Sequence, residues 1–397
     1  MGINLLKRLH VNYSKYDKNT IKKILFIYEE NWFYLGDTCI FFDKLKYLKS
    51  YFNNAEIELN LSKNKYEEKY RALLLHNPYI NAVYYSDWIN CDFADYDMLI
   101  CVMVNEGDLF TYIEQYYPTL VNKFGKTIVV CSLSKEVLVR NGQEVFVFPE
   151  CNDLIVFDNL MKQIPSEIYI TDEEKRRGDQ WLISKGVLPT EKVLILIDSA
   201  SVKEKSLDVL TYFEILSWLL QNPMVKVLIF DERLIGKKAF YKSLLGDLSD
   251  RLIFCEGLSL RDEFCIISSD FIQMVLGPCT GIMHCISSIF NHMCNVSKKQ
   301  GEVTKRRGIE PLIIVYTGEY HGDNNDPFFW WSNSPLVNCI LVSEDAAGHP
   351  LISLLKWDGI DGKNGIRGLP CYKYTSELLI DFLKNKLHVI TFLDKNS

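Results

Sequence analysis

Short apolar runs separated by amphipathic stretches recur along the whole chain. Residues 22–28 (KKILFIY) read as a buried strand, and a turn and helix then reach to about Tyr51. Further strands are expected at 55–61, within 76–87, at 95–104 (DYDMLICVMV), at 126–133 and at 145–149, the last at an edge. The uninterrupted apolar runs suit central parallel strands, which are buried on both faces. The pattern breaks at 165–190, a charged stretch with one helical segment; Thr171 followed by Glu174 is a capping-box signature. Alternation restarts with strands at 192–200, 226–232, 251–257, 271–277, 311–318 and 339–343. Helices are expected over Leu207–Leu220, from the basic stretch to about Leu248, at 259–270, at 280–290 and over Thr375–Lys386.

Two consecutive doubly wound α/β units follow from this alternation. The first covers 1–164 and opens with a basic lead-in over 1–21; a linker helix occupies 165–190. The second unit covers 191–372, and a C-terminal helix and tail fill 373–397. Such sheets bind ligands beyond the carboxyl ends of their strands. The loops after 22–28, 192–198, 226–230 and 271–277 are therefore the ones to inspect.

Composition narrows the class. With 48% hydrophobic and 24% charged residues among 397, the chain has the make-up of a globular enzyme. A net charge of −7 argues against a general nucleic-acid binder. The twelve cysteines show no CxxC pair and no zinc spacing, which suits reduced thiols in a cytoplasmic protein. No apolar run approaches a membrane span. The lead-in carries Lys7, Arg8, Lys15, Lys18, Lys22 and Lys23 against Asp17, with Leu5, Leu6 and Leu9 able to share a helix face. That pattern suits either peripheral contact with anionic lipid at the inner membrane face or a solvated lead-in helix.

Candidate chemistry lies in the loops named above. Gly36 and Asp37 stand where the first helix begins, so Asp37 is either a cap or a general base. Ser199, Ser201, Lys203 and Lys205 follow a central strand and precede a helix, a setting that suits phosphate. Asp231 or Glu232 is placed to meet a ribose, or else lies in a solvated turn. In LGPCTGIMHCISSIF, Gly277 and Gly281 flank a strand-to-helix turn and are expected to let backbone approach a diphosphate. Thr280 brings a hydroxyl there, and His284 is either a ligand group or a core histidine. Asp95-Tyr96-Asp97 looks like a DxD metal site but precedes its strand, and is read as a solvated strand start. Asp323–Asp326 lacks the glycine and terminal glutamate of a calcium loop and is read as a turn.

In order, these motifs resemble the heptosyltransferase-like, family-nine glycosyltransferases. KILFIY with LGDTCIFFDKLKYLKSYFNNAEIELN resembles that family's strand, Gly-Asp turn, helix and second strand. NPYINAVYYSD, FADYDMLICV, DSASVKEKSLDVLTYFEIL, SLRDEFCIISSDFIQMVLGPCTGIMHCISSIF and PLIIVYTGEY continue the match across roughly 22–345. The resemblance implies a GT-B fold, two Rossmann-like doubly wound domains facing across a cleft. It implies an inverting bacterial-type transferase with no cofactor and no required metal. Its partners would be a nucleotide-sugar donor and a cell-envelope glycan, glycolipid or protein acceptor. Asp37 takes the part of the base that deprotonates the acceptor. Lys205, or Lys203 in another register, is the phosphate lysine, with Ser199, Ser201, Thr280, Gly281 and His284 around the diphosphate and Asp231 and Glu232 at the nucleoside. Gly36 and Trp32 fall on the acceptor side, where the aromatic loop Trp32–Tyr34 either stacks on the acceptor or packs against the linker. The chain departs from the family at Cys279, where the family has Asp, and at Leu207-Asp208, where it has Trp-Pro. A nucleotide-sugar 2-epimerase on the same fold and a non-catalytic nucleotide-sugar-binding module are the alternatives.

Overall fold

A computed structural model describes residues 8–9, 11–12, 15–30, 33–61, 66–103, 106–122, 129–132, 137–140, 143–146, 164–231, 234–299, 310–319, 331, 334–355 and 368–387. The chain divides into two compact units, Met1–Ile164 and Pro165–Ser397.

The first unit begins with β1 (Lys23–Glu29), α1 (Leu35–Tyr51), β2 (Glu56–Leu61), α2 (Glu67–Leu74), β3 (Ala82–Tyr84) and β4 (Met98–Met103). It continues with α3 (Glu106–Tyr116), α4 (Pro118–Asn122), β5 (Val129–Ser132), β6 (Val137–Arg140) and β7 (Gln143–Phe146). Five parallel strands form a sheet in the order β3-β2-β1-β4-β5. Every residue of β4 is buried, as its unbroken apolar run requires. The expected edge strand at 145–149 is instead part of an antiparallel hairpin, β6 with β7, and residues 147–149 lie outside the described residues. Asn141-Gly142, between the two strands, is the two-residue hairpin signal that the reading passed over.

Two further readings change in this unit. Asp97 is no idle strand start: its carboxylate accepts the amides of Lys22 and Lys23 at 2.8 and 2.9 Å, tying the start of β1 to that of β4. Leu9, one of the apolar residues considered for lipid contact, is fully buried in the core with Leu25, Ile27 and Leu99. Burial there takes it out of any lipid-facing surface. Leu5 and Leu6 lie outside the described residues.

The second unit runs α5 (Asp172–Ser184), β8 (Lys192–Leu196), α6 (Val209–Leu220), β9 (Val225–Asp231), α7 (Lys237–Leu245), β10 (Leu252–Glu256) and α8 (Leu260–Ile267). Then come β11 (Ile272–Pro278), α9 (Gly281–Lys299), β12 (Leu312–Thr317), β13 (Val337–Glu344), β14 (Pro350–Leu354) and α10 (Ser376–Leu387). Its sheet has the order β10-β9-β8-β11-β12-β13-β14, parallel except for β14. The antiparallel β14 escaped the sequence reading because its residues are only half-buried and break the long-apolar-run rule. An Asp345 turn with Gly348 at φ 81° joins it to β13.

The helix read as a linker is docked within this unit. Thr171 and Glu174 form the capping box, and the buried Glu174 also accepts from Arg261 of α8 at 2.7 and 2.8 Å. Gly178 lies so close to α8 that a Cβ would meet the Cys265 carbonyl oxygen at 2.0 Å. The C-terminal helix belongs here too: Leu379 and Leu383 join the core under α6. The Tyr374 hydroxyl donates to the carbonyls of Thr317 and Ile340, clamping β12 to β13.

Gly178→Ala forces backbone apart at the α5–α8 contact and is expected to cost about 3 kcal/mol or more. Urea unfolding measures it; a loss below about 1 kcal/mol would show that α5 tolerates a side chain there.

Candidate functional site

The richest local chemistry in the second unit lies at the carboxyl edge of its sheet. β11 is buried along its whole length and runs into the turn at Cys279–Thr280. The Cys279 amide donates to the Tyr316 carbonyl at 3.1 Å, which holds the turn against β12. The Thr280 carbonyl accepts from Met283 and His284, so α9 starts at Gly281. A helix start presents unpaired amides and positive dipole charge. The Thr280 hydroxyl oxygen is buried there with no hydrogen-bond partner.

Gly277 does a different job from the one expected. A Cβ on it would meet Ile197 and Met283, each at 2.8 Å. It lets α9 close onto the strand ends; it does not bare backbone to a ligand.

His284, one turn into α9, is 9% exposed and stacks flat on Trp331, with ring centroids 4.0 Å apart and planes 3° from parallel. Burial, and after it the Lys205 charge, push its pKa down to about 3. The imidazole is therefore neutral at physiological pH. Trp331 is buried too, and its indole N–H has no partner. The Trp331 carbonyl accepts the Ser334 amide, and Ser334 meets Ser287 of α9 at 3.1 Å, so this turn is fastened to the helix. The sequence reading missed Trp331; its one signal was the aromatic run at 328–331.

Lys205 closes a 3-10 turn, Lys203–Lys205, on the loop after β8, and is half-buried while Lys203 is exposed. Of the two lysines left open by the sequence, Lys205 is the one whose charge acts on His284. Ser199 and Ser201 are exposed on the same loop. Thus Lys205, Thr280, Gly281 and His284 come together in one unit.

Asp231 is not placed to meet a ribose. It is 1% exposed, and its two carboxylate oxygens accept the amides of Ile235 and Lys237, each at 3.0 Å. Burial and these bonds commit it to holding the loop before α7. Glu232 lies outside the described residues. Sequence reasoning passed over Asp198, just beyond β8. Its carboxylate takes the Lys237 amine at 2.6 Å and the Tyr241 hydroxyl at 2.8 Å. The only sequence hint was an acid ending a buried strand.

In the first unit, Asp37 is exposed in the first turn of α1, beyond the carboxyl end of β1. Tyr34 occupies the cap position, so Asp37 is not the cap residue. Gly36 beside it is half-buried. Beneath them Tyr28 approaches the Thr38 hydroxyl at 3.5 Å, and burial drives its phenol pKa upward. Trp32 lies outside the described residues, but Phe33 packs on Tyr66 and Tyr70 at 5.6 and 5.5 Å. Tyr34 is exposed. Among the described residues no group of three or more His, Cys, Asp or Glu is placed to hold a metal. No described helix is long and apolar enough to cross a membrane.

No family model matches the chain, and no curated protein matches it. Solved structures do. A family 9 glycosyl transferase from Veillonella parvula DSM 2008 matches 94% of this chain and 99% of its own, at 13% identity and TM-score 0.54. The ADP-heptose LPS heptosyltransferase II of E. coli matches 93% of this chain and 99% of its own, at 12% identity and TM-score 0.55. The fold is that of the family-nine glycosyltransferases. The GT-B fold read from the motif order is therefore present across both units.

A histidine held neutral has a stability signature. Its folded pKa lies below the unfolded value of 6.5, so between about pH 6.5 and pH 3 the unfolded chain binds a proton that the folded chain refuses. Stability must fall as pH falls through that window. Between about pH 7 and pH 5 the wild type should lose on the order of 1–2 kcal/mol more than His284→Phe, which keeps a ring against Trp331. Urea unfolding at the two pH values tests this; parallel losses would place the histidine outside the low-dielectric site.

Proposed function

We propose that the protein is an inverting glycosyltransferase that moves a sugar from a nucleotide-sugar to an acceptor hydroxyl without a required metal. The observation that carries this reading is the start of α9, where a buried, unpartnered Thr280 hydroxyl and neutral His284 lie with the half-buried Lys205. Phosphate suits such a place, because it accepts from amides and hydroxyls and answers both dipole and cation.

In this reading the second unit holds the donor diphosphate and the first supplies the base. The acceptor oxygen forms its bond to the anomeric carbon as the bond from that carbon to the diphosphate breaks. The acceptor proton passes to Asp37, and the electron pair leaves with the nucleoside diphosphate. Lys205, Ser199, Ser201, the amides at Thr280–Gly281 and the α9 dipole stabilise the growing charge. His284 contributes hydrogen bonding without a charge of its own. Gly36 lies on the acceptor side. Work in the cytoplasm on a cell-envelope glycan, glycolipid or protein fits the reduced thiols and the family likeness. An ADP-sugar is the first donor to test, since the E. coli neighbour is an ADP-heptose enzyme.

Asp37→Asn should lower transfer about 100-fold or more while leaving nucleotide affinity within about twofold. Transfer assays and calorimetry measure the two. Near-normal transfer by the variant removes the base assignment, and conversion of the nucleotide-sugar with no acceptor present would identify an epimerase.

A further inference from the structure

The loop that carries Ser199, Ser201 and Lys205 is fastened at both ends. At its start the Asp198 carboxylate is gripped by Lys237 at 2.6 Å and by Tyr241 at 2.8 Å, both from α7. The same amine donates to the Phe230 carbonyl at 2.6 Å, at the end of β9. Asp231 then holds the Lys237 amide, so the amine is aimed from a fixed backbone. At the far end Leu207 packs against the buried core cluster that holds Tyr316 of β12. Between these anchors the 3-10 turn places Lys205 where its charge reaches His284.

This arrangement withholds the Lys237 cation. Lys237 sits at the same sheet edge as the phosphate candidates, yet its side chain is only 10% exposed and its charge is answered by Asp198. A buried, hydrogen-bonded pair of this kind is better at fixing geometry than at adding stability. Locking the loop in advance spares a ligand the cost of ordering it.

We infer that Asp198 is a positioning residue for the donor diphosphate: through Lys237 and Tyr241 it sets the loop that brings Lys205 to the start of α9. The inference rests on the functional reading above. Asp198 itself touches no phosphate, so its loss acts on phosphate recognition and spares the nucleoside.

The test compares, by calorimetry on the full chain, a nucleoside diphosphate with its parent nucleoside, choosing whichever of ADP, GDP or UDP the wild type binds. Asp198→Asn should weaken the diphosphate about tenfold and the nucleoside no more than about twofold. The double variant Asp198→Asn/Lys237→Met leaves no buried unpaired charge, so its melting temperature should recover relative to Lys237→Met alone. Its diphosphate affinity should stay low, because the anchor is still missing. Should Asp198→Asn fail to fold, Tyr241→Phe must show the same split at smaller size. Equal weakening of both ligands, unchanged diphosphate affinity, or affinity that returns with melting temperature overturns the positioning role. A wild type that binds none of the three diphosphates overturns the functional reading, and this role falls with it.

Discussion

A parallel sheet delivers the start of every following helix to a single edge, and the helix that matters most here is α9. Its first residue, Gly281, follows a strand buried from end to end, so the helix begins against the protein interior. Unpaired amides at such a start need partners. The chain instead surrounds the start with a Thr280 hydroxyl that has none, an imidazole that carries no charge and a lysine on a neighbouring loop. Low dielectric strengthens each of these toward an incoming anion, and the same low dielectric keeps His284 from competing as a cation.

Much of the polar chemistry nearby is structural and supports that edge. Asp231 closes the loop before α7, Asp198 and Lys237 fasten the loop after β8, and Tyr374 clamps β12 to β13. Gly277 removes a side chain so that Ile197 and Met283 can meet over the strand end. A buried carboxylate whose oxygens already accept amides has little left to offer a ligand. That is why position after a strand, a sound guide to nucleotide sites, misassigned Asp231 and overlooked Asp198.

The strands of both sheets were legible because parallel strands buried on two faces must be apolar throughout, as β4 and β11 are. Motif order was legible for the same reason that the fold is: strand, turn and helix recur with fixed chemistry at each turn. Partly exposed elements were not. β14 is only half-buried, and β6 and β7 form a hairpin announced only by Asn141-Gly142. Trp331 was hidden because its role depends on stacking with His284, forty-seven positions away in sequence. Nothing in a local pattern encodes such a pairing. Asp37 could be placed at the head of α1 from sequence, but its distance from the cap position needed coordinates.

The proposed function requires Lys205 and the start of α9 to act together on phosphate. Titrating the wild type and Lys205→Met with a nucleoside diphosphate and with its parent nucleoside isolates that contribution. The wild type should prefer the diphosphate by about tenfold or more, and Lys205→Met should lose most of the preference with nucleoside binding intact. An undiminished preference in the variant would contradict it.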